Sequence, residues 1–283
     1  MILQFYPSIK VHCWGGFGSQ LNALALVHRL NESFARRKIT LVLHEGGRHN
    51  AIFELEDINL SDFNIELKSD LNVSNYVIKN NSKEHIKRIA KYFLRKLGFY
   101  NSCDSLGDLH KLKPWVLIIR GSYNLFPTET FLHFLNAQLT EISFKQQFDV
   151  IIHYRLGDLI DLQEKDPIEA SILIDLLKTI EKKHEIKNIT LLTSDPEIAS
   201  SLFQKIDSRI AAKISSYYAK PIEVLNFGIS GKIFIGTNSK MSLWPIWLRT
   251  INNSVDNYLP NIFQKELIFL DETKIKKFNI TFY

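Results

Sequence analysis

The chain has 283 residues, 45% hydrophobic and 12% aromatic, with 35 Lys and Arg against 30 Asp and Glu for a formal net charge of +5. That composition excludes a disordered or fibrous chain and suffices for a core in two domains, and two cysteines, Cys13 and Cys103, are too few for a disulfide framework or a cysteine-based metal site. No apolar run approaches the roughly 18–20 residues that cross a bilayer, and the start, Met1-Ile2-Leu3-Gln4-Phe5-Tyr6-Pro7, lacks the positive n-region of a secretory signal, so a cytoplasmic location is expected.

In chain order, Ile9 to Cys13 predicts a short strand, followed by the turn Gly15-Gly16-Phe17-Gly18 and by a helix over 21–37 with apolar residues at Leu21, Leu24, Ala25, Val27, Leu30 and Phe34. Ile39-Thr40-Leu41-Val42-Leu43 predicts a buried strand, and Ile65-Glu66-Leu67 a second. Ser82 can cap a helix whose apolar positions Ile86, Ile89, Ala90, Phe93, Leu94 and Leu97 run up to Gly98. A strand over 115–119 closes the half. The second half opens on Phe148-Asp149-Val150-Ile151-Ile152, a buried strand, then Asp166-Pro167-Ile168-Glu169, which predicts a helix cap with proline at the first position. Strands are expected at 189–192, 222–225 and 232–235, a helix opening at Ser194 or Asp195 before Pro196, and a tryptophan-rich helix near 244. Apolar strands alternating with helices imply parallel sheets covered on both faces. Two domains are expected, with a boundary near 145 in Phe144-Lys145-Gln146-Gln147.

His153-Tyr154-Arg155-Leu156-Gly157-Asp158 follows the strand 148–152 directly, so one guanidinium emerges at a strand's carboxyl end, where open α/β sheets bind ligands. Arginine presents a planar fork of donors suited to phosphate, and the positive net charge suits an anionic partner. The late block Asn238-Ser239-Lys240-Met241-Ser242-Leu243-Trp244-Pro245-Ile246-Trp247-Leu248 lies after a strand and before a helix, and so brings hydroxyls and backbone amides to a helix start.

These three segments together resemble the bacterial α-1,2-fucosyltransferases, a glycosyltransferase family 11-like pattern with an HxRxGD motif, and more distantly the wider fucosyltransferase group that includes α-1,6 and protein O-fucosyl enzymes. The matching positions are Gly15, Gly16, Gly18, Gln20 and Leu21; His153, Arg155, Gly157 and Asp158; and Asn238, Ser239, Ser242, Trp244, Trp247 and Leu248. The resemblance implies a GT-B glycosyltransferase with two Rossmann-like domains facing a cleft, residues 1–145 on the acceptor side and 146–283 on the donor side. It also implies an inverting, metal-independent transfer of fucose or a related deoxy sugar from a GDP-sugar to an O-antigen or capsule precursor. By that resemblance Arg155, Ser239 and Ser242 meet the diphosphate, with Asn238 beside them, and Asp195 at a strand end approaches the nucleotide base. Gly16 and Gly18 would let backbone approach donor or acceptor. Ser19, Phe17, Leu156 and Leu243 depart from the family pattern, which leaves the sugar open.

Attack by an acceptor hydroxyl calls for a proton acceptor. Asp158 is the first candidate, with holding Arg155 as its alternative role; His153, His12 and Glu45 follow. Trp244 and Trp247 read as core rather than as a sugar platform. A Rossmann-type enzyme using NAD or S-adenosyl methionine at the Gly15–Gly18 turn is the alternative class, although the third glycine of G-x-G-x-x-G is missing; a non-catalytic glycan-binding module is another. Basic and aromatic residues do not interleave in any nucleic-acid recognition motif, so nucleic acid is not an expected partner. The helix over 83–97 carries Lys83, Lys87, Arg88, Lys91, Arg95 and Lys96 around its apolar stripe. A solvated outer face is the simpler reading of those cations, and contact with the inner face of the cytoplasmic membrane the other, apt for a lipid-linked oligosaccharide acceptor.

Overall fold

The computed structural model describes residues 7–46, 53–70, 82–102, 109–120, 127–139, 148–156, 167–249, 256–263 and 272–283. They form two α/β units, Met1–Phe131 and Leu132–Tyr283, each built on a sheet whose strand pairs are all parallel. The stretch 144–147, where a boundary was expected, lies outside the described residues. Among the described residues no helix is long and apolar enough to cross a membrane.

In the first unit the order is β3-β2-β1-β5-β4, with β1 Ile9–Trp14, β2 Ile39–Gly46, β3 Asn64–Asp70, β4 Tyr100–Ser102 and β5 Ile118–Arg120. Helix α1, Phe17–Ser33, begins and ends four residues before the predicted span, because the glycine turn passes straight into it at Gly16. Its apolar residues are buried on almost every side, from Phe17 through Leu30. The segment expected as a strand from 115 instead turns until 118: Val116 N–H donates to Lys113 O at 3.0 Å, and the Trp115 indole N–H donates to Leu97 O at 2.7 Å. Arg37, buried, clamps this turn, its Nε on Pro7 O at 2.7 Å and Nη1 on Pro114 O at 2.6 Å.

Helix α2, Ser82–Lys96, ends as its sequence predicts. Gly98 takes φ +80°, its N–H donates to Arg95 O at 3.0 Å and the Phe99 N–H to Leu94 O at 2.9 Å, the paired bonds that a glycine after a helix allows. Lys91 and Arg95 stand over the ring of Tyr100 on β4, at 5.0 and 5.1 Å from its centre, and every residue from Ile89 to Leu97 is exposed.

The second unit has the order β11-β10-β9-β6-β7-β8. The first four of its strands in the chain are β6 Phe148–His153, β7 Ile189–Thr193, β8 Ile214–Tyr218 and β9 Gly231–Gly236; β10 Asp256–Leu259 and β11 Ile280–Phe282 complete it. The remaining helices are α3 Glu129–Leu139, α4 Ala170–Glu181, α5 Pro196–Ile206, α6 Ser208–Ala211, α7 Pro221–Ser230, α8 Leu243–Arg249 and α9 Glu272–Lys277. Two expectations are corrected here. Residues 222–225 are helical, because Pro221 supplies a fixed φ at the first position and the Glu223 carboxylate accepts the Lys220 N–H at 2.7 Å. The edge strand is β8 instead, whose exposed Tyr217 and Tyr218 gave no apolar signal. Helix α4 begins at Ala170 with Glu169 as its cap and no side-chain capping bond, so Pro167 precedes the helix.

Every residue of β6 is buried, including Asp149, whose carboxylate accepts the Asn188 N–H at 3.2 Å and the Lys232 ammonium at 2.8 Å. It thus ties the start of β6 to both neighbouring strands. Val150, Ile152, Leu173, Leu177, Leu191 and Phe203 lie in one apolar cluster.

Candidate functional site

Strand order locates the site in the second unit. From β6 the chain winds to β7 and β8 on one side, then crosses to β9 and continues to β10 and β11 on the other. The connections at the carboxyl ends of β6 and β9 therefore run in opposite directions, which opens a crevice at that end of an open parallel sheet. His153 is registered against Gly236, so Arg155 and the loop 237–242 leave the sheet side by side.

Hydroxyls knit the two segments together. Thr237 Oγ1 donates to His153 O at 2.8 Å and accepts the Arg155 N–H at 3.1 Å. Ser242 Oγ accepts the Thr237 N–H at 3.1 Å and lies 2.9 Å from His153 Nδ1. Ser239 Oγ accepts the Met241 N–H at 3.2 Å, starting the 3-10 turn Lys240–Ser242, and receives Nη1 of Arg155 at 3.5 Å. The loop can fold back this tightly only over a glycine: a Cβ on Gly236 would come within 2.5 Å of Ser242 Cβ.

His153 and Ser242 are buried, whereas Arg155 is half-buried and so reaches toward solvent from a fixed backbone. Burial first, and the Arg155 guanidinium second, push the His153 imidazole down to about 3. It is neutral near pH 7 and adds no cation to the crevice. Leu156, which departs from the fucosyltransferase pattern, packs into the apolar cluster with Tyr154 and Leu173. Trp244 and Trp247 are fully buried, edge to face at 4.9 Å, as core residues. Arg249, also fully buried, donates from Nη1 to Gly228 O at 3.0 Å and from Nη2 to Lys232 O at 2.7 Å, which pins α8 to the turn between α7 and β9.

The structure therefore brings together His153, Arg155, Asn238, Ser239 and Ser242. Asp158 and Gly157 lie outside the described residues. Asp195 stands at the end of β7, where its carboxylate accepts the Ile198 N–H at 3.1 Å and caps α5. Thr237 was not singled out from sequence, although a hydroxyl residue closing an apolar strand before Asn238 and Ser239 was a readable signal. Arg249 was missed as well, since nothing local marks an arginine at a helix end as a buried clamp.

Unit one has a corresponding reversal between β1 and β5, with different contents. Gly15 is the residue with positive φ, +135°; Gly16 caps α1 at φ −74° and Gly18 is buried in its first turn, so neither holds the special conformation that the turn needs. The Glu54 carboxylate accepts the Phe17 N–H at the start of α1, and Gln20 braces it, accepting the Glu54 N–H at 3.1 Å and donating to Gly15 O at 3.0 Å. A carboxylate thus occupies the place where a dinucleotide-binding unit seats a pyrophosphate, which counts against the NAD and S-adenosyl methionine reading. Across the strand ends, His44 stacks on Trp14 at 4.0 Å and the Arg120 guanidinium lies 4.2 Å from the Trp14 ring. His12 Nδ1 is 2.8 Å from His44 Nε2. Burial, then Arg120 and His44, lower His12 to about 4.

No protein-family model matches the chain, and no curated protein does. Among solved structures it is similar to the E. coli heptosyltransferase WaaC with ADP-2-deoxy-2-fluoro heptose, at 11% identity over 89% of this chain and 88% of that one, TM-score 0.42. It is similar to POFUT1 in complex with GDP-fucose at 12% identity over 86% and 95%, TM-score 0.39. A Listeria monocytogenes protein assigned as a UDP-N-acetylglucosamine 2-epimerase stands at 10% identity over 96% and 90%, TM-score 0.45. Such identities and scores say nothing of substrate or reaction; the fold, two units of parallel sheet flanked by helices, stands on the strand pairings themselves.

Proposed function

We propose that this chain is a GT-B glycosyltransferase that takes a nucleoside-diphosphate sugar in the second unit, with GDP-fucose or a related GDP-deoxyhexose as donor and a hydroxyl of a surface-polysaccharide precursor as acceptor. The observation that carries this reading is the meeting of Arg155 with Ser239, and of His153 with Ser242, at the reversal between β6 and β9. The fucosyltransferase-like spacing of those residues supports the choice of donor.

In this reading the acceptor oxygen attacks the anomeric carbon while the bond from that carbon to the β-phosphate oxygen breaks. Charge grows on the leaving diphosphate, and Arg155 and Ser239 meet it with no divalent cation assigned to the step. Thr237 and Ser242 are positioning residues: they hold the Arg155 backbone and fold the 237–242 loop. His153 holds Ser242, as a neutral ring, and Asp158 is the proton acceptor for the incoming hydroxyl. In this reading Asp195, whose carboxylate caps α5 at the next strand end, contacts the nucleotide base.

A thermal-shift panel of GDP, UDP, dTDP, NAD and S-adenosyl methionine tests the assignment. GDP should raise the melting temperature of the wild type and not of Arg155→Ala, and EDTA should not reduce transfer. Stabilisation by NAD or S-adenosyl methionine alone would refute it.

A further inference from the structure

The first unit holds a cluster at its strand ends that the donor chemistry does not use. We propose that the carboxyl end of its sheet binds an anionic sugar, whose carboxylate or phosphate is held by Arg120 beside the exposed part of Trp14. Under the glycosyltransferase reading above, on which this extension rests, that sugar belongs to the acceptor, which is then an acidic rather than a neutral glycan.

Sheet order places β1 between β2 and β5, and register sets Trp14 opposite His44 and His12 opposite Arg120. The indole therefore has a neighbour from each flanking strand, His44 stacked on it at 4.0 Å and the Arg120 guanidinium 4.2 Å from its centre. A guanidinium over an aromatic ring is held in place while its fork of N–H donors stays available. Arg120 Nε is buried with no hydrogen-bond partner, and a buried donor left unmet is costly. Lys10 and Lys68 on the same face both pair with Glu66, at 2.7 and 3.4 Å, whereas no salt bridge engages Arg120 among the described residues. Trp14 is 37% exposed, an aromatic surface at the mouth of a crevice.

Charge and place select the ligand. The other anion position at this end, the N-terminus of α1, is filled by the Glu54 carboxylate, so the cation still without its counterpart is Arg120. Burial first, then Arg120, His44, Lys68 and Lys10, lower His12. The cations therefore converge on this end of the sheet, and the His12 ring, 2.8 Å from His44, is neutral near pH 7. A neutral hydroxyl would leave the guanidinium charge unmet, whereas carboxylate or phosphate oxygens accept from its fork in pairs. The exposed part of the indole offers apolar contact to the C–H groups of the same sugar, the usual company of a few convergent polar groups in a small-molecule site.

Titration of the full chain with D-glucuronate, D-glucose 6-phosphate and neutral D-glucose, read by tryptophan fluorescence, tests this. At least one anionic sugar should bind about tenfold or more tightly than glucose, and the tighter of the two identifies the group as carboxylate or phosphate. Arg120→Gln should remove that preference at an unchanged melting temperature. Arg120→Lys should restore only part of it, because an ammonium is a point charge without the planar fork. Lys68→Gln, which removes a cation already paired with Glu66, should lower affinity by no more than about twofold. Trp14→Phe should abolish the fluorescence change. The proposal is overturned by equal binding of the three sugars, by no binding, by an anion preference that survives Arg120→Gln, or by inorganic phosphate binding as tightly as the sugars. GDP affinity should be the same in Arg120→Gln as in the wild type, and its loss there would put the donor diphosphate on Arg120 and overturn this site. A wild type that binds an acidic sugar but not GDP would refute the donor assignment and leave this site standing, so the two failures are distinct.

Discussion

Each unit reverses its strand order beside one central strand, β1 in the first and β6 in the second, yet the two reversals are furnished differently. At the first, the helix N-terminus is filled by the chain's own Glu54, and Trp14 is stacked by His44 and approached by Arg120. At the second, the Thr237 hydroxyl holds the backbone of a half-buried arginine, Ser239 receives its guanidinium and Ser242 folds the loop over Thr237. A common architecture places a crevice in both, and the side chains make the two chemically different; the proposed reading puts the diphosphate in the second.

The largest expected effect comes from removing the guanidinium that distinguishes the second reversal. Arg155→Ala should lower transfer by about 100- to 1,000-fold, as loss of one preorganised donor to a developing anion does, while far-UV circular dichroism stays unchanged. Arg120→Ala, the corresponding change in the first unit, should leave GDP affinity as it is; a matching loss would erase the contrast. Next come the two buried clamps. Arg249→Leu strips donors from Gly228 and Lys232 carbonyls, and Arg37→Leu does the same for Pro7 and Pro114. Each should cost about 2–4 kcal/mol in denaturant unfolding, but only Arg249→Leu should weaken GDP binding, because α8, which it pins, continues directly from the loop 237–242.

Gly236→Ala should cost about 1–3 kcal/mol through overpacking against Ser242 and should loosen the donor site with it. A further effect appears only in pH, away from neutrality. His153, at about 3 in the folded chain, binds a proton in the unfolded chain below its ordinary 6.5 and not in the folded one. Its contribution is therefore complete above pH 6.5 and declines as pH falls toward 3, with a slope of up to about 1.4 kcal/mol per pH unit. His153→Gln should flatten that part of the stability curve; an unchanged slope would mean that His153 is accessible to protons in the folded state. His12, lowered to about 4, adds a decline of the same sign.

Strands with strong apolar runs were readable: β1, β2, β6, β7 and β9 stand where their Val, Ile and Leu content puts them. The helix stop at Gly98 and the cap at Asp195 were readable because both are local hydrogen-bond chemistry. Residues 222–225 misled because Ile222, Val224 and Leu225 fit a strand or a buried helix turn equally, and only Pro221 before them and the capping bond of Glu223 among them separate the two. The exposed Tyr217 and Tyr218 hid β8, and Arg37, Arg249 and Glu54 gave no sign because their partners lie far along the chain.

By itself the sequence determined most of the elements, the parallel α/β class and Arg155 with Ser239 as residues worth attention, since periodicity, caps and motif spacing act over a few positions. Strand order was left to the tertiary structure, and with it the adjacency of β6 and β9 that sets Arg155 beside Ser239, 84 positions along the chain. Long-range pairing and burial are collective choices among faces that local propensity leaves equal.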